Sequence, residues 1–229
     1  MKDTSPGLKA RLAGLLFLIV MAAGVFAEYR VWNVLIVFHD PAATAQNILT
    51  QEPLYRVGFA ANLVDYSFYL GVTALFYELL KPVGPSLSVA AAAFSLAATA
   101  IVAAASLCTY APLILLHMQG HEPWQALALM CLKLRTVGYD VSLVFFGVHF
   151  LLLGLLILRA DFLPRLLGVL QMICGACYLI NSFASVLSPP LARDLSPYIF
   201  MPCIVAELAL ALWLLFIGVN SQRWRAHAA

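Results

Sequence analysis

Charge is scarce in this chain. Lys and Arg together number 13 and Asp and Glu 11 among 229 residues, or 10%, against roughly a quarter in an ordinary soluble domain. The net charge is +2, and no basic run interleaves with aromatics, so no nucleic-acid partner is expected. Cysteine is also sparse: Cys108, Cys131, Cys174, Cys177 and Cys203, an odd number at mostly apolar positions, argue against a disulfide framework. There is no phosphate-cradling glycine loop, no GxSxG and no HExxH, so nucleotide, serine-hydrolase and zinc-protease chemistries lack their local signatures. Cys174-Gly-Ala-Cys177 is a CxxC, but it lies deep in an apolar run without nearby charge to favour a thiolate. Close packing explains its small residues better than dithiol redox does. His117 and His121 match His149 too poorly in depth for a bis-histidine haem.

Apolar runs fill the space that charge leaves. Hydrophobic residues make up 63% of the chain, more than a soluble core can absorb, and several runs reach the ~18 to 20 residues that cross ~30 Å of hydrocarbon. The expected fold is all-α: a polytopic six-helix membrane bundle forming one domain over 1–229. Its spans fall at about 9–27, 56–80, 86–116, 137–158, 164–187 and 196–219. The first run ends in a cleavage-like Val25-Phe-Ala27, but its apolar part is slightly longer than a signal peptide's ~7 to 15 residues and is read as a span.

Orientation follows from the loop cations. Lys2, Lys9, Arg11, Lys81, Arg159, Arg165, Arg223 and Arg225 fall on one side, and Arg30, Arg56, Lys133, Arg135 and Arg193 on the other. The excess assigns both termini to the cytoplasm and the chain to the inner (plasma) membrane. Trp224, between Arg223 and Arg225, has the character of an interfacial anchor. On the outer face, Asp40-Pro41 is a helix start for PAATAQNIL. EPWQALALMCLKLR has the apolar spacing of an interfacial helix whose Lys133 and Arg135 reach headgroups.

Two spans are built for close approach. SVAAAAFSLAATAIVAAAS, almost all Ala and Ser, is expected at the centre of the bundle, and Gly147 and Gly154 flatten one face of the fourth span. Arg11-Leu-Ala-Gly14 is weakly echoed by Arg165-Leu-Leu-Gly168.

Ionisable residues inside such spans are expensive and usually face the bundle interior. Counted from the outer ends, Asp65, His149 and Glu207 lie about 13, 18 and 16 Å deep, near the midplane. Asn62, Asp65, Tyr69 and Thr73 form one stripe on the second span. On the fifth, Cys174, Asn181 and Ser185 share a face. The candidate intramembrane site is therefore Asp65, His149, Glu207, Asn62, Tyr69 and Asn181. His149, Glu207 and Asp65 are also the candidate metal ligands, an imidazole and two carboxylates. A neutral His149 and a protonated Glu207 that merely hydrogen-bond across helices are the plain structural alternative. Glu28, Arg30 and Arg56, at the outer ends of the first two spans, are expected to pair with one another or to meet an anionic headgroup.

The strings ARLAGLLFLIVMAAGVFAE (10–28), PAATAQNIL (41–49), LVFFGVHFLLLGLLIL (143–158), DFLPRLLGVLQMICGACYLINSF (161–183) and AELALALWLL (206–215) resemble the bacterial DUF4386 family of integral membrane proteins. FLPRxLG and GYLI[DN]SF are its more specific motifs, the latter carrying Cys177 for the usual glycine here. The resemblance implies that a carboxylate often occupies the positions of Asn62 and Asn181, which weighs against acid chemistry there. It implies the fold and no activity. Function is thus read as binding of a small or lipidic ligand in an outward-facing polar pocket, with a metal-assisted intramembrane hydrolase and a proton-coupled carrier as alternatives. Beyond the lipid bilayer and that ligand no partner is indicated, and whether it is an enzyme, its cofactor and its oligomeric state stay open.

Overall fold

A computed structural model of the chain describes residues 5–118, 121–196 and 198–228. Lys2 lies outside them, as does the side chain of His121. Among the described residues there is no strand, and the helices run α1 (Pro6–Leu35), α2 (Pro41–Thr50), α3 (Glu52–Leu80), α4 (Pro85–Leu115), α5 (His121–Arg159), α6 (Arg165–Leu187), α7 (Pro189–Leu195), α8 (Tyr198–Ile217) and α9 (Ser221–Ala228). Six of these, α1, α3, α4, α5, α6 and α8, are long and apolar enough to cross a membrane. The chain is an all-α, multi-pass membrane protein.

Local chemistry explains where helices start and stop. Asp40 Oδ1 accepts the Ala43 N–H at 2.9 Å with Pro41 in the first turn, so α2 begins where its sequence places it. Thr44 exchanges hydrogen bonds with the backbone of Val37, and Asn47 donates to Leu35 O at 3.3 Å, tying α2 to the end of α1. Gly218 stops α8 with φ of +77°, a conformation that a residue with a Cβ avoids.

Two boundaries differ from the sequence expectation. The first span does not end near residue 27, because Glu28 and Arg30 fail to break it. The chain widens into a π-wound turn over Ala27–Trp32 and stays helical to Leu35. The separate interfacial helix expected before the fourth span is instead the first part of α5, 39 residues long. No proline interrupts the join, and Gly138 is a packing residue: a Cβ there would come within 2.5 Å of Ala105 Cβ. The Ala/Ser-rich α4 is also less enclosed than expected. It buries 33% of its most apolar window against 50% for α5, since its outward positions include Leu107 and Ile114.

Contacts divide the chain into two compact units. Unit 1 comprises residues up to Leu18, Phe68–Thr99 and Asp140 onward; unit 2 comprises Ile19–Ser67 and Ala100–Tyr139.

In unit 1, α5 and α6 meet through glycines spaced by seven on both helices. A Cβ on Gly154 would stand 2.6 Å from Gly168 O, and one on Gly175 2.6 Å from Gly147 O. Gly14 on α1 is likewise closed in by Ala211 O and Leu215 N of α8, at 2.6 and 2.5 Å. Both glycines of the Arg-Leu-X-Gly echo are therefore sites of backbone approach, where van der Waals contact replaces the hydrophobic drive absent between helices in lipid.

The last helix, α9, is docked on unit 1. Asn220 Oδ1 accepts the Gln222 and Arg223 N–H groups as an N-cap. Arg223 donates to Asp161 O at 2.9 Å, His227 meets Asp161 Oδ1 at 3.0 Å, and Trp224 Nε1 donates to Leu79 O at 2.8 Å. Leu79 O is one of the last carbonyls of α3, which have no partner within their own helix. Trp224→Phe removes that bond, worth about 1 kcal/mol. Tryptic cleavage after Arg223 and Arg225 should then accelerate about fivefold; an unchanged rate would show that Trp224 does not hold the helix down.

Unit 2 is held by an aromatic and aliphatic cluster of Trp32, Ile48, Tyr55, Leu113, Leu129 and Leu132. Tyr55 stacks edge-on against Trp32 at 5.1 Å and donates its hydroxyl to Thr109 O at 2.6 Å.

Candidate functional site

Three helices of unit 1 surround His149. Its ring is 2% exposed, and Nδ1 lies 2.8 Å from Ala91 O on α4. A carbonyl oxygen only accepts, so Nδ1 carries the hydrogen, and in the neutral ring Nε2 presents a lone pair. Nε2 is buried and has no hydrogen-bond partner among the described residues.

That lone pair borders a narrow cleft with room for about one water molecule, lined by Thr73, Tyr77, Ser88, Ala91, His149 and Leu156 among others. Its width suits water-sized occupants. Small residues create it: Ala91 and Ala92 leave room for the imidazole where larger side chains would fill the space. The hydroxyls of Thr73 and Ser88 in the wall are already engaged. Thr73 donates to Tyr69 O at 2.9 Å and shares a 2.6 Å bond with Ser95, while Ser88 donates to Tyr77 O at 3.2 Å. His149 Nε2 is a buried acceptor in the lining with no partner among the described residues. The aromatic side of the site is Tyr69, whose ring stands 6.5 Å from His149 and packs on Phe17 and Phe146.

Direction matters here. Tyr77, Leu80 and Ser88 flank the α3–α4 connection, so the cleft extends from His149 toward that end of the helices. This is the end that carries Lys81, the side read from the loop cations as cytoplasmic, whereas the sequence reading placed a pocket facing outward.

Glu207 lies in the same unit with partners of its own. Its Oε1 accepts from Tyr178 Oη at 2.5 Å and from Cys174 Sγ at 3.6 Å. Cys203 donates toward Cys174 O at 3.7 Å, and Gln171 Nε2 donates to Ala206 O at 2.8 Å. Together these bonds stitch α6 to α8. His149 and Glu207 are connected through the rings of Phe150 and Tyr178, with centroid separations of 5.1 Å from His149 to Phe150 and 5.7 Å from Phe150 to Tyr178.

Asp65 belongs to unit 2. It is half-buried, with Oδ2 3.5 Å from where a Cβ on Gly24 would lie. Asn62, Tyr69 and Asn181 are buried as their stripes predict, Asn62 in unit 2 and the other two in unit 1. Among the described residues no three His, Cys, Asp or Glu side chains form a set that would hold a metal ion. The proposed ligand trio of His149, Glu207 and Asp65 is not such a set.

The outer-rim charges pair differently from the expectation. Arg56 bonds Glu52 one turn away at 2.7 Å, and His117 Nε2 approaches the other oxygen of Glu52 at 3.3 Å. Glu28 meets Arg135 at 3.7 Å. Arg135 also lies over the Trp32 ring at 5.6 Å, so it folds back on the protein instead of reaching for headgroups. Arg30 makes no ion pair among the described residues.

Sequence reasoning missed Tyr178 and the Ala91 carbonyl. Tyr178 sits one turn beyond Cys174 on α6, so its stripe was available as a signal. A backbone carbonyl leaves none.

Comparison with known proteins adds little chemistry. A protein of Archaeoglobus fulgidus, titled only as an uncharacterized protein, is 30% identical over 79 residues, covering 34% of this chain and 45% of that relative. This match therefore spans less than half of the relative's length. No solved structure matches the chain. A family model described as a domain of unknown function, DUF4386, matches residues 12–218. That match runs from within the first apolar helix through the end of the sixth, and the chain belongs to the DUF4386 family.

Proposed function

We propose that this membrane protein binds a small hydrogen-bond donor within the bundle, at His149 in unit 1, without catalysing a reaction on it. The reading rests on one observation: a buried Nε2 lone pair, its tautomer fixed by Ala91 O, bordering a cleft with no partner for it among the described residues. A buried acceptor left unmade is costly, and an occupant that donates to it removes the penalty. The narrow cleft suits ammonium, which is close to water in size, and not a lipid chain. With both termini cytoplasmic in the inner membrane, the cleft leads toward the cytoplasm.

The metal-assisted hydrolase has no ligand set to support it among the described residues. A proton-coupled carrier calls for paired repeats or broken helices, and the Arg-Leu-X-Gly echo is accounted for by packing.

Nitrogen NMR of protein with labelled histidine, titrated with ammonium, tests the proposal. A saturable shift of the His149 Nε2 signal is expected, with Nδ1 still protonated. A signal that ignores ammonium would abandon the site.

A further inference from the structure

Glu207 stands at the middle of α8, nine residues or about 13 Å from Tyr198. It lies at the edge of the helix face that packs on α6. Cys203, Ala206 and Leu210 beside it are buried, whereas Ile204, Val205 and Leu208 are 40, 58 and 39% exposed. Glu207 itself is half-buried. Two donors, Tyr178 and Cys174, converge on Oε1, and Oε2 has no hydrogen-bond partner among the described residues. An unpaired carboxylate at this depth costs from a few to over ten kcal/mol. The acid form avoids that penalty, with Oε1 as the accepting oxygen and the proton on Oε2.

We propose that Glu207 forms a lateral site that takes a lipophilic amine from the bilayer. The Oε2 proton passes to the amine nitrogen, forming an ammonium–carboxylate pair. Tyr178 and Cys174 continue to donate to Oε1 and so stabilise the carboxylate that results. Ring contacts hold the donor in place: Tyr178 packs at 6.1 Å on Phe200 and at 5.7 Å on Phe150. This site is separate from the His149 cleft and does not depend on it.

Dicyclohexylcarbodiimide, a lipophilic reagent for protonated carboxyls, is applied to the protein in phosphatidylcholine vesicles, and adducts are mapped by mass spectrometry. One adduct at Glu207 is expected, absent from Glu207→Gln, which keeps an acceptor for Tyr178. Dodecyldimethylamine should slow the adduct about fivefold or more, whereas dodecanol, equally long but not basic, should not. Tyr178→Phe should keep the adduct and weaken the amine's protection. No adduct at Glu207, equal labelling by a water-soluble carbodiimide, equal slowing by amine and alcohol, or full protection in Tyr178→Phe would each overturn the assignment.

Discussion

Gly154→Leu is expected to destabilise the protein by about 3 kcal/mol or more, the upper range for overpacking. The reason lies in what the new side chain meets. A Cβ at Gly154 would stand 2.6 Å from Gly168 O, 2.6 Å from Met172 Cγ and 2.9 Å from Met172 N. Met172 Cγ belongs to a flexible side chain and moves at little cost, but the other two atoms are helix backbone. They retreat only if α6 as a whole moves away from α5. Separation at Gly154 also opens the contact one heptad along, where Gly147 and Gly175 approach equally closely. In hydrocarbon the lost contact is dispersion energy, with no gain from expelled water to offset it. Gly154→Ala should show a smaller loss of about 1–3 kcal/mol. Gly24→Ala serves as control, since a Cβ there meets only Asp65 Oδ2, at 3.5 Å. It should be neutral or gain about 0.5–1 kcal/mol from helix propensity. Unfolding in mixed micelles, followed by tryptophan fluorescence, reads all three. If Gly154→Leu matches Gly24→Ala, the glycine seam does not hold α5 to α6.

The six crossings were legible because bilayer thickness imposes a length on each apolar run that a single sequence displays. Boundaries were less so, and for specific reasons. Glu28 and Arg30 look like a span's end but are compatible with helix, and nothing between Lys133 and Tyr139 breaks α5. The site was legible in part. Depth along a span can be counted, and it marked His149 and Glu207, but it is one coordinate of three. Rotation of each helix and the choice of neighbour decide contact, and those decided that His149 meets the Ala91 carbonyl while Glu207 meets Tyr178. Arg135 was misread for a similar reason. A basic residue on an amphipathic helix has the pattern of a headgroup contact, and only the placement of Trp32 and Glu28 beside it shows otherwise. Among the described residues Trp32 Nε1, Asn62 Nδ2, Thr109 Oγ1, Gln171 Oε1 and His149 Nε2 are buried polar atoms without a hydrogen-bond partner. Of these, His149 Nε2 belongs to the residue that lines the cleft.

Tyr55→Ala is expected to cost about 3–5 kcal/mol, the range for deleting a buried aromatic ring. Tyr55 is fully buried in unit 2 between Trp32 and the end of α4. Its ring fills the centre of a cluster with Ile48, Leu113, Leu129 and Leu132, and its hydroxyl reaches Thr109 O at 2.6 Å. That bond falls where α4 is weakest. Pro112 lies inside the helix and has no N–H, so the carbonyl four residues back, at Cys108, loses its regular donor. The hydroxyl of Tyr55 supports the adjoining turn from outside. Two substitutions separate ring from hydroxyl. Tyr55→Phe keeps the packing and removes one donor, so it should cost about 0.5–1.5 kcal/mol and hasten amide exchange around Pro112. Tyr55→Ala should add the cavity and leave Trp32 without its edge-on partner, seen as a red-shifted tryptophan emission. Equal stability of the two variants would mean that the ring contributes nothing beyond its hydroxyl, contrary to its packing against Trp32.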